Sequence, residues 1–316
     1  MSKNLGKLLI GASMVIGMGA LAANPAQAGT LTGATIGGTA ANDYYVYDVV
    51  GSQTTPVTSN LTNVKKVLDG DAESPTGNVE LRASTEQVGF NATEFAKNTT
   101  LEGKIGGKNI TLSSLTSADW FGPSLNMAYG QTNLANTWFN QFYVAAGLDT
   151  KETQLKTALG LPLPNNTPNL STIIRTSVFN VFTSIGGFQR ASDPNIAYVN
   201  QDDNTGLIKI GLAGHLDMKS YYAPIFGSLT NLINNNFQAS EVVKYTYNGV
   251  TDYLYSFTAT NSGLTSTQAN GDHSGNYEVT IAGVPPTKVP EPSVMLGVFG
   301  VAGVFAAQRK LKKASA

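Results

Sequence analysis

The sequence contains no cysteine, and this absence removes several kinds of site at once. Disulfide bonds, cysteine nucleophiles, thiolate metal centres and lipoprotein-type acylation are all excluded. Charged residues are also scarce, at 13% of the chain, and the formal net charge is only −1. Proteins that bind nucleic acid normally present a strongly basic surface, so this charge balance argues against a nucleic-acid partner.

Histidine is nearly absent as well, since the chain has only His215 and His273. Asp217 follows His215 by two positions, which on a strand would place both side chains on one face. Asp272-His273-Ser274 contains the residue types of a catalytic triad, but a working triad is assembled from distant segments. The sequence also has no Gly-x-Ser-x-Gly or His-Glu-x-x-His motif. We therefore predict no catalytic residue, no cofactor and no enzyme activity.

The first residues have the pattern of a secretory signal peptide. Lys3 and Lys7 give a positive start, Leu8–Leu21 is apolar, and Ala26-Gln27-Ala28 is a small-x-small cleavage site. Cleavage after Ala28 would leave a mature chain that begins at Gly29. The sequence thus predicts export, with the Sec machinery and signal peptidase as partners.

The other end of the chain combines three features in a fixed order. Pro290-Glu291-Pro292 comes first, and its prolines keep this tripeptide extended and outside a helix. An uncharged run over 294–307 follows, which predicts a short transmembrane helix over 293–308. At about 1.5 Å per residue this run reaches only about 21 Å, short of a hydrocarbon core of about 30 Å. A basic stop that would be retained in the cytoplasm ends the chain: Arg309, Lys310, Lys312 and Lys313.

This order of features resembles the PEP-CTERM sorting signal of Gram-negative bacteria, including cyanobacteria. The resemblance covers residues 289–316 only and says nothing about the rest of the chain. It implies a membrane-embedded exosortase, a cysteine transpeptidase-like enzyme, as a partner that cuts near Pro290-Glu291-Pro292. It further implies transfer to the cell surface or extracellular matrix, often beside exopolysaccharide production. The shortness of the apolar run fits a temporary tether better than a lasting anchor.

Residues 29–283 between these signals predict an α+β body. Strand patterns dominate its first and last parts, and three to four helices are expected between them. A proline-containing connector at 162–168 is the most plausible seam if the body has two domains. Residues 284–289, which include Pro285 and Pro286, form a semi-rigid spacer before the sorting signal.

Several elements are predicted individually. Asn248-Gly249 and Gly106-Gly107-Lys108 each indicate the turn of a β-hairpin, because Asn and Gly tolerate positive φ. The middle of the chain has helical spacing from Leu134 to Phe142, with Gly147 as the stop. Two further helices are expected to begin at caps Asp149 and Ser171, and another helix is expected over 224–237.

Two clusters could bind a ligand, although each has a simpler structural explanation. Asn200, Asp202 and Asn204 have the spacing of calcium ligands, but Thr205 and Gly211 stand where an EF-hand needs Gly and Glu. A hairpin turn with local side-chain hydrogen bonds explains the same composition. Four tyrosines are predicted on one face of the hairpin around Asn248, as a carbohydrate-stacking platform or as core: Tyr245, Tyr247, Tyr253 and Tyr255.

The sequence favours an exported surface or matrix protein of structural or binding type. Extracellular polysaccharide is a possible partner of its body. Two alternatives stay open: an extracellular carbohydrate-active hydrolase and a calcium-dependent adhesion module. A concave pocket with two facing carboxylates would favour the hydrolase.

Overall fold

A computed structural model describes residues 28–86, 90–123, 133–268 and 272–286 and shows a mixed, strand-rich α+β fold. In chain order the strands are β1 (Ala28–Thr30), β2 (Thr32–Gly37), β3 (Tyr44–Val50), β4 (Gln53–Val57), β5 (Gly77–Leu81), β6 (Thr100–Ile105), β7 (Lys108–Ser113), β8 (Asn195–Asp202), β9 (Leu207–Gly214), β10 (Val243–Tyr247), β11 (Val250–Leu254), β12 (Thr260–Asn261), β13 (Thr265–Ser266) and β14 (Gly275–Ala282). The helices are α1 (Leu61–Val67), α2 (Ser117–Phe121), α3 (Leu134–Ala145), α4 (Glu152–Ala158), α5 (Leu170–Ser184), α6 (Gly187–Arg190) and α7 (Met218–Phe226).

The strands form two sheets. The larger has the order β12-β14-β9-β8-β5-β3-β4-β13, with β1 added to the end of β8, and the smaller has the order β11-β10-β7-β6-β2. The pairings are antiparallel except for the short parallel pair of β13 with β4. Aliphatic side chains from both sheets meet in one buried cluster, so the sheets pack face to face. Its members include Val46, Val79, Leu101, Ile110, Leu112, Ile196, Ile210, Val243 and Val279.

Two tight hairpins of the smaller sheet form as the sequence predicts. β6 and β7 are joined at Gly106-Gly107, whose φ angles are 55° and 78°. β10 and β11 are joined at Asn248-Gly249, with φ angles of 49° and 82°. Positive φ at both central residues defines the turn that matches the twist of the strands.

A second core lies among the helices, and it is aromatic where the core between the sheets is aliphatic. Trp138 on α3 is 1% exposed and lies with its ring centroid 5.5 Å from that of Trp120. The edge-to-face contacts within this cluster are the arrangement that the charge distribution of aromatic rings favours. Its rings include Trp120, Trp138, Phe139, Phe142, Phe182, Phe188, Tyr222 and Phe237.

The helix predicted over 224–237 is displaced in the structure. Helix α7 covers Met218–Phe226 and begins at Asp217, whose side chain accepts a hydrogen bond from the Lys219 amide. It ends because Gly227 has φ 55° and ψ −129°, a conformation that only glycine adopts easily. A 3₁₀-helix over Gly227–Leu232 follows. The apolar residues seen at helical spacing therefore pack against the aromatic core from two elements instead of one.

Other boundaries differ from prediction in smaller ways. The described residues contain seven α-helices, more than the three to four expected. Asp149 lies in a 3₁₀-turn, and α4 begins after Lys151 without a side-chain cap. Ser171 lies inside α5, where its hydroxyl donates to Glu152 at 2.6 Å, and the residue before the helix is Asn169.

The connector at 162–168 does not separate two sets of strands. The larger sheet places β8, β9 and β14, which follow the connector, beside β5, β3 and β4, which precede it. The smaller sheet likewise pairs β10 with β7. Both sheets are therefore built by segments from either side of the connector. Among the described residues, every helix is too short or too polar to cross a bilayer.

Candidate functional site

The two histidines of the chain lie on either side of one carboxylate. Antiparallel pairing of β9 with β14 places Gly214 opposite Gly275, and this register brings residues 215 and 272–274 together. His215 Nε2 is 3.7 Å from Asp272 Oδ1, and His273 Nε2 is 3.4 Å from Asp272 Oδ2. The sequence analysis did not predict this cluster, because His215 and Asp272-His273 are far apart in the chain and are brought together only by the pairing of β9 with β14.

His273 serves as a structural tie at the edge of the larger sheet. Its side chain is 1% exposed, and Nδ1 lies 2.7 Å from the Thr54 hydroxyl on β4. The Tyr47 ring packs edge-on against the imidazole at a centroid distance of 4.7 Å. Burial lowers the pKa of His273, although the Asp272 carboxylate opposes this effect. The imidazole is therefore held neutral and joins the segment before β14 to β4.

His215 lines a small polar cleft beside the aromatic core. Burial lowers the pKa of this histidine too, against the attraction of Asp272 and Asp217. The other polar side chains of the cleft are those of Arg190, Tyr221, Tyr222, Ser240, Glu241 and Asp272. The prediction that Asp217 shares a strand face with His215 is wrong, because β9 ends at Gly214 and Asp217 caps α7.

The size of this cleft decides what it can hold. Its cavity is about 20 Å³, and roughly 10–15 Å³ is the least that accommodates one water molecule. Glu241 and Asp272 both line it, so two carboxylates do share a cleft. A glycosidase places its carboxylates about 5 to 9 Å apart around a sugar ring. The cleft has room for a water and none for a sugar, so this pair does not form the expected hydrolase pocket.

The described residues do not favour a serine nucleophile or a metal site at this cluster. The Ser274 hydroxyl accepts a hydrogen bond from the Leu216 amide at 3.0 Å, which is a structural use of that side chain. In the ranges that the structure describes, no three histidine or carboxylate side chains are grouped so that they could hold a metal ion. The histidine–aspartate cluster is thus best understood as a buried polar tie between strands.

The predicted calcium ligands form an ordinary turn. Asp202 Oδ1 accepts hydrogen bonds from the backbone amides of Asn204 at 2.8 Å and Thr205 at 3.0 Å. These two amides, with that of Thr205 the stronger, lower the pKa of Asp202. Asn200 is buried and donates to the Gly70 carbonyl at 2.9 Å. Asp202 Oδ1 is thus committed to the backbone, as expected for a side-chain-stabilised turn. Asn200 lies within β8, where Nδ2 is bonded and Oδ1 is buried without a hydrogen-bond partner among the described residues.

The four tyrosines do not share a face. Tyr245 lies opposite Asp252 in the β10–β11 register, whereas Tyr253 lies opposite Lys244. This register puts Tyr245 and Tyr247 on one face of the hairpin and Tyr253 on the other. Tyr247 therefore packs in the aliphatic core, and Tyr253 packs in the aromatic core. Tyr245 and Tyr255 are half-buried at the edges of these two cores, and burial raises the pKa of Tyr255 to about 12. A flat stacking platform for sugars needs exposed rings on one surface, so the expectation of one shared face is wrong.

The remaining site predictions concern the two ends of the chain. Pro290, Glu291, Pro292 and the basic stop lie outside the described residues, as does Ala26. Ala28 is the first residue of β1, so the predicted mature start at Gly29 falls inside a paired strand.

None of three comparisons, with protein-family models, with curated proteins and with solved structures, finds a match to this chain. No catalytic family is therefore indicated for it.

Proposed function

We propose that this chain is an exported protein that is delivered to the cell surface or extracellular matrix, where its body has a structural or binding role. The observation that carries the proposal is the order of features at the C-terminus: an extended Pro290-Glu291-Pro292, an apolar run and a basic stop. The run reaches only about 21 Å, so it acts as a temporary tether that an exosortase-like membrane transpeptidase cuts.

The positions at which the described strands begin and end support this proposal. The first described strand begins at Ala28, and the last strand, β14, ends at Ala282. Removal of residues up to Ala28 and of the sorting signal from Pro290 onwards would leave the described helices and strands in place, apart from Ala28 itself. The body carries its own two cores, so burial stabilises it after both ends are cut.

The nature of the body favours a structural or binding role. Its stability rests on apolar burial without disulfides. Residues 29–283 contain 13 Lys and Arg against 20 Asp and Glu, a net charge of −7. Two of the titratable groups hold the structure together: His273 links to β4, and Asp202 stabilises a turn. Extracellular polysaccharide is the partner class that we propose for its polar surface. Nucleic acid is not expected, because no basic excess is present to bind phosphate.

The test follows the full-length protein by cell fractionation. Glu291→Ala, and separately deletion of 309–313, should move the protein from the surface fraction to the membrane fraction. Glu73→Ala is a matched control, since Glu73 is an exposed carboxylate on a loop far along the chain from the signal. It should be sorted like the wild type. Mature surface protein in wild-type amounts from both tail variants would defeat the proposal.

A further inference from the structure

The two ends of the described chain meet at one tip of the molecule. β1 pairs with the last residues of β8, with Gly29 opposite Gln201 and Ala28 opposite Asp202. At the other end, Val284 is the second residue after β14 and lies against the same β8–β9 turn. We call the residues Gly29, Gln201, Gly206 and Val284 the terminal pole.

Gln201 ties the terminal pole together. Its side chain is buried, and Nε2 donates to the Gly206 carbonyl at 3.0 Å and to the Val284 carbonyl at 2.8 Å. The Val284 amide donates in turn to the Tyr247 hydroxyl at 3.0 Å. Both backbone groups of Val284 are thus held by side chains from different sheets, which fixes the direction in which the chain leaves the body.

The packing at the pole is close. A Cβ added to Gly206 would lie 2.7 Å from the Gly283 carbonyl oxygen and 2.7 Å from Pro285 Cδ. A Cβ on Gly29 would lie 3.0 Å from Asp203 Oδ1. The entering strand and the leaving segment therefore both contact the single turn between β8 and β9.

The helices of the aromatic core lie at the opposite end of the same two strands, whereas α1 packs against β3 and β5 in the aliphatic core. α6 precedes β8, and α7 follows β9, so both connect to the ends of these strands that are away from the turn. A strand rises about 3.4 Å per residue, and β8 has eight residues. The helical part thus begins about 25 Å from the terminal pole.

We propose that the terminal pole is the membrane-facing surface of the precursor, from which the signal peptide and the C-terminal tail leave side by side. This inference rests on the proposed function, which supplies the two membrane segments. Residues 287–292 separate Pro286 from the start of the apolar run at Ser293, and seven steps of extended chain span at most about 25 Å. The pole must therefore stay near the bilayer, and the helical layer points away from it toward extracellular material.

Fluorescence quenching can measure this orientation, and the absence of native cysteine makes single-site labelling clean. Asn204→Cys places a label in the exposed turn of the pole, and Asn180→Cys places one on an exposed position of α5. Each full-length variant is labelled with the same fluorophore. It is then reconstituted into phosphatidylcholine–phosphatidylglycerol vesicles that contain nitroxide-headgroup lipid. The label at 204 should be quenched about twice as strongly as the label at 180, because about the length of β8 separates the pole from the helices.

The outcomes separate this inference from the function on which it rests. Failure of the wild-type chain to co-sediment with vesicles would overturn the membrane role of its ends. Co-sedimentation with equal quenching at the two positions, or with stronger quenching at 180, would overturn the orientation alone. Equal melting temperatures of the variants and the wild type serve as the check that both substitutions leave the fold intact.

Discussion

The buried amide of Gln201 donates a 2.8 Å hydrogen bond to the carbonyl of Val284, 83 positions later in the chain. Gln201 belongs to the middle of the larger sheet, and Val284 is the second residue after the last strand. This bond fixes the point at which the proposed spacer leaves the body. It also links the stability of the body to the placement of the proposed sorting signal.

Removal of this link should destabilise the protein measurably. Gln201→Ala leaves the Gly206 and Val284 carbonyls without their donor, at an expected cost of about 1–3 kcal/mol in free energy of unfolding. Urea unfolding can be followed by the fluorescence of Trp120 and Trp138, which are both buried. Asn204→Ala, in the adjacent exposed turn, should change stability by less than about 0.5 kcal/mol. Equal stability of Gln201→Ala and wild type would show that the tie contributes nothing.

The buried histidines should make stability depend on pH below neutrality. Burial lowers the pKa of His215 and His273 from 6.5 in the folded protein, so the unfolded chain binds protons first. Stability is therefore highest above pH 6.5 and falls as the pH is lowered below that value. The nearby Asp272 carboxylate, and Asp217 beside His215, oppose the shift without reversing it.

A variant can isolate this histidine contribution. The double variant His215→Gln/His273→Gln should be less stable than wild type at pH 7.5, because Thr54 loses its imidazole partner. Its stability should change less than that of wild type between pH 7.5 and about pH 5, above the range in which ordinary carboxylates titrate. Denaturant midpoints across this range give the comparison. Parallel pH profiles for the two proteins would contradict the assignment.

Calcium should not stabilise the protein through the β8–β9 turn. Asp202 Oδ1 already accepts two backbone hydrogen bonds, and Asn200 is buried within β8, where its Nδ2 donates to the Gly70 carbonyl. Thermal unfolding in excess calcium and in chelator should give the same midpoint. Asp202→Asn keeps an acceptor oxygen and should be tolerated, whereas Asp202→Ala removes the acceptor of both amides and should lower the midpoint of thermal unfolding. A calcium-dependent rise of several degrees that Asp202→Ala abolishes would restore the adhesion hypothesis.

Local chemistry explains which elements the sequence could predict. The turns at Gly106-Gly107 and Asn248-Gly249 depend on residues that tolerate positive φ, so two adjacent positions specify each hairpin. The predicted helix over 224–237 differs from α7 because the apolar spacing continues through Gly227, where the helix ends. Asp217 with Ser220 three residues later was an available sign of its true start, since the Ser220 hydroxyl donates to Asp217 at 2.6 Å.

Long-range pairing explains what the sequence could not predict. The faces of Tyr245 and Tyr253 are an exception. The predicted two-residue turn at Asn248-Gly249 pairs Tyr247 with Val250, and this local register already places the two tyrosines on opposite faces. His215 and His273 meet because β9 pairs with β14, and nothing local to either histidine specifies that neighbour. The meeting of Gly29 and Val284 at one turn likewise depends on the order of strands in the larger sheet.

Gly77 should be the glycine at which an added methyl group is least tolerated, for two separable reasons. Its φ is 142°, and a Cβ there would lie 2.0 Å from the Tyr47 carbonyl oxygen and 2.9 Å from Val67 Cβ. Gly51 offers the matched control, because its φ is 65° and its added Cβ meets nothing within 4 Å. Gly51→Ala should lower the free energy of unfolding by about 1–2 kcal/mol, from backbone strain alone. Gly77→Ala should lower the free energy of unfolding by about 3 kcal/mol or more, since β3 and α1 must also move away from the added methyl group. Urea unfolding of the two variants measures the difference, and equal losses would show that the clash relaxes at no cost.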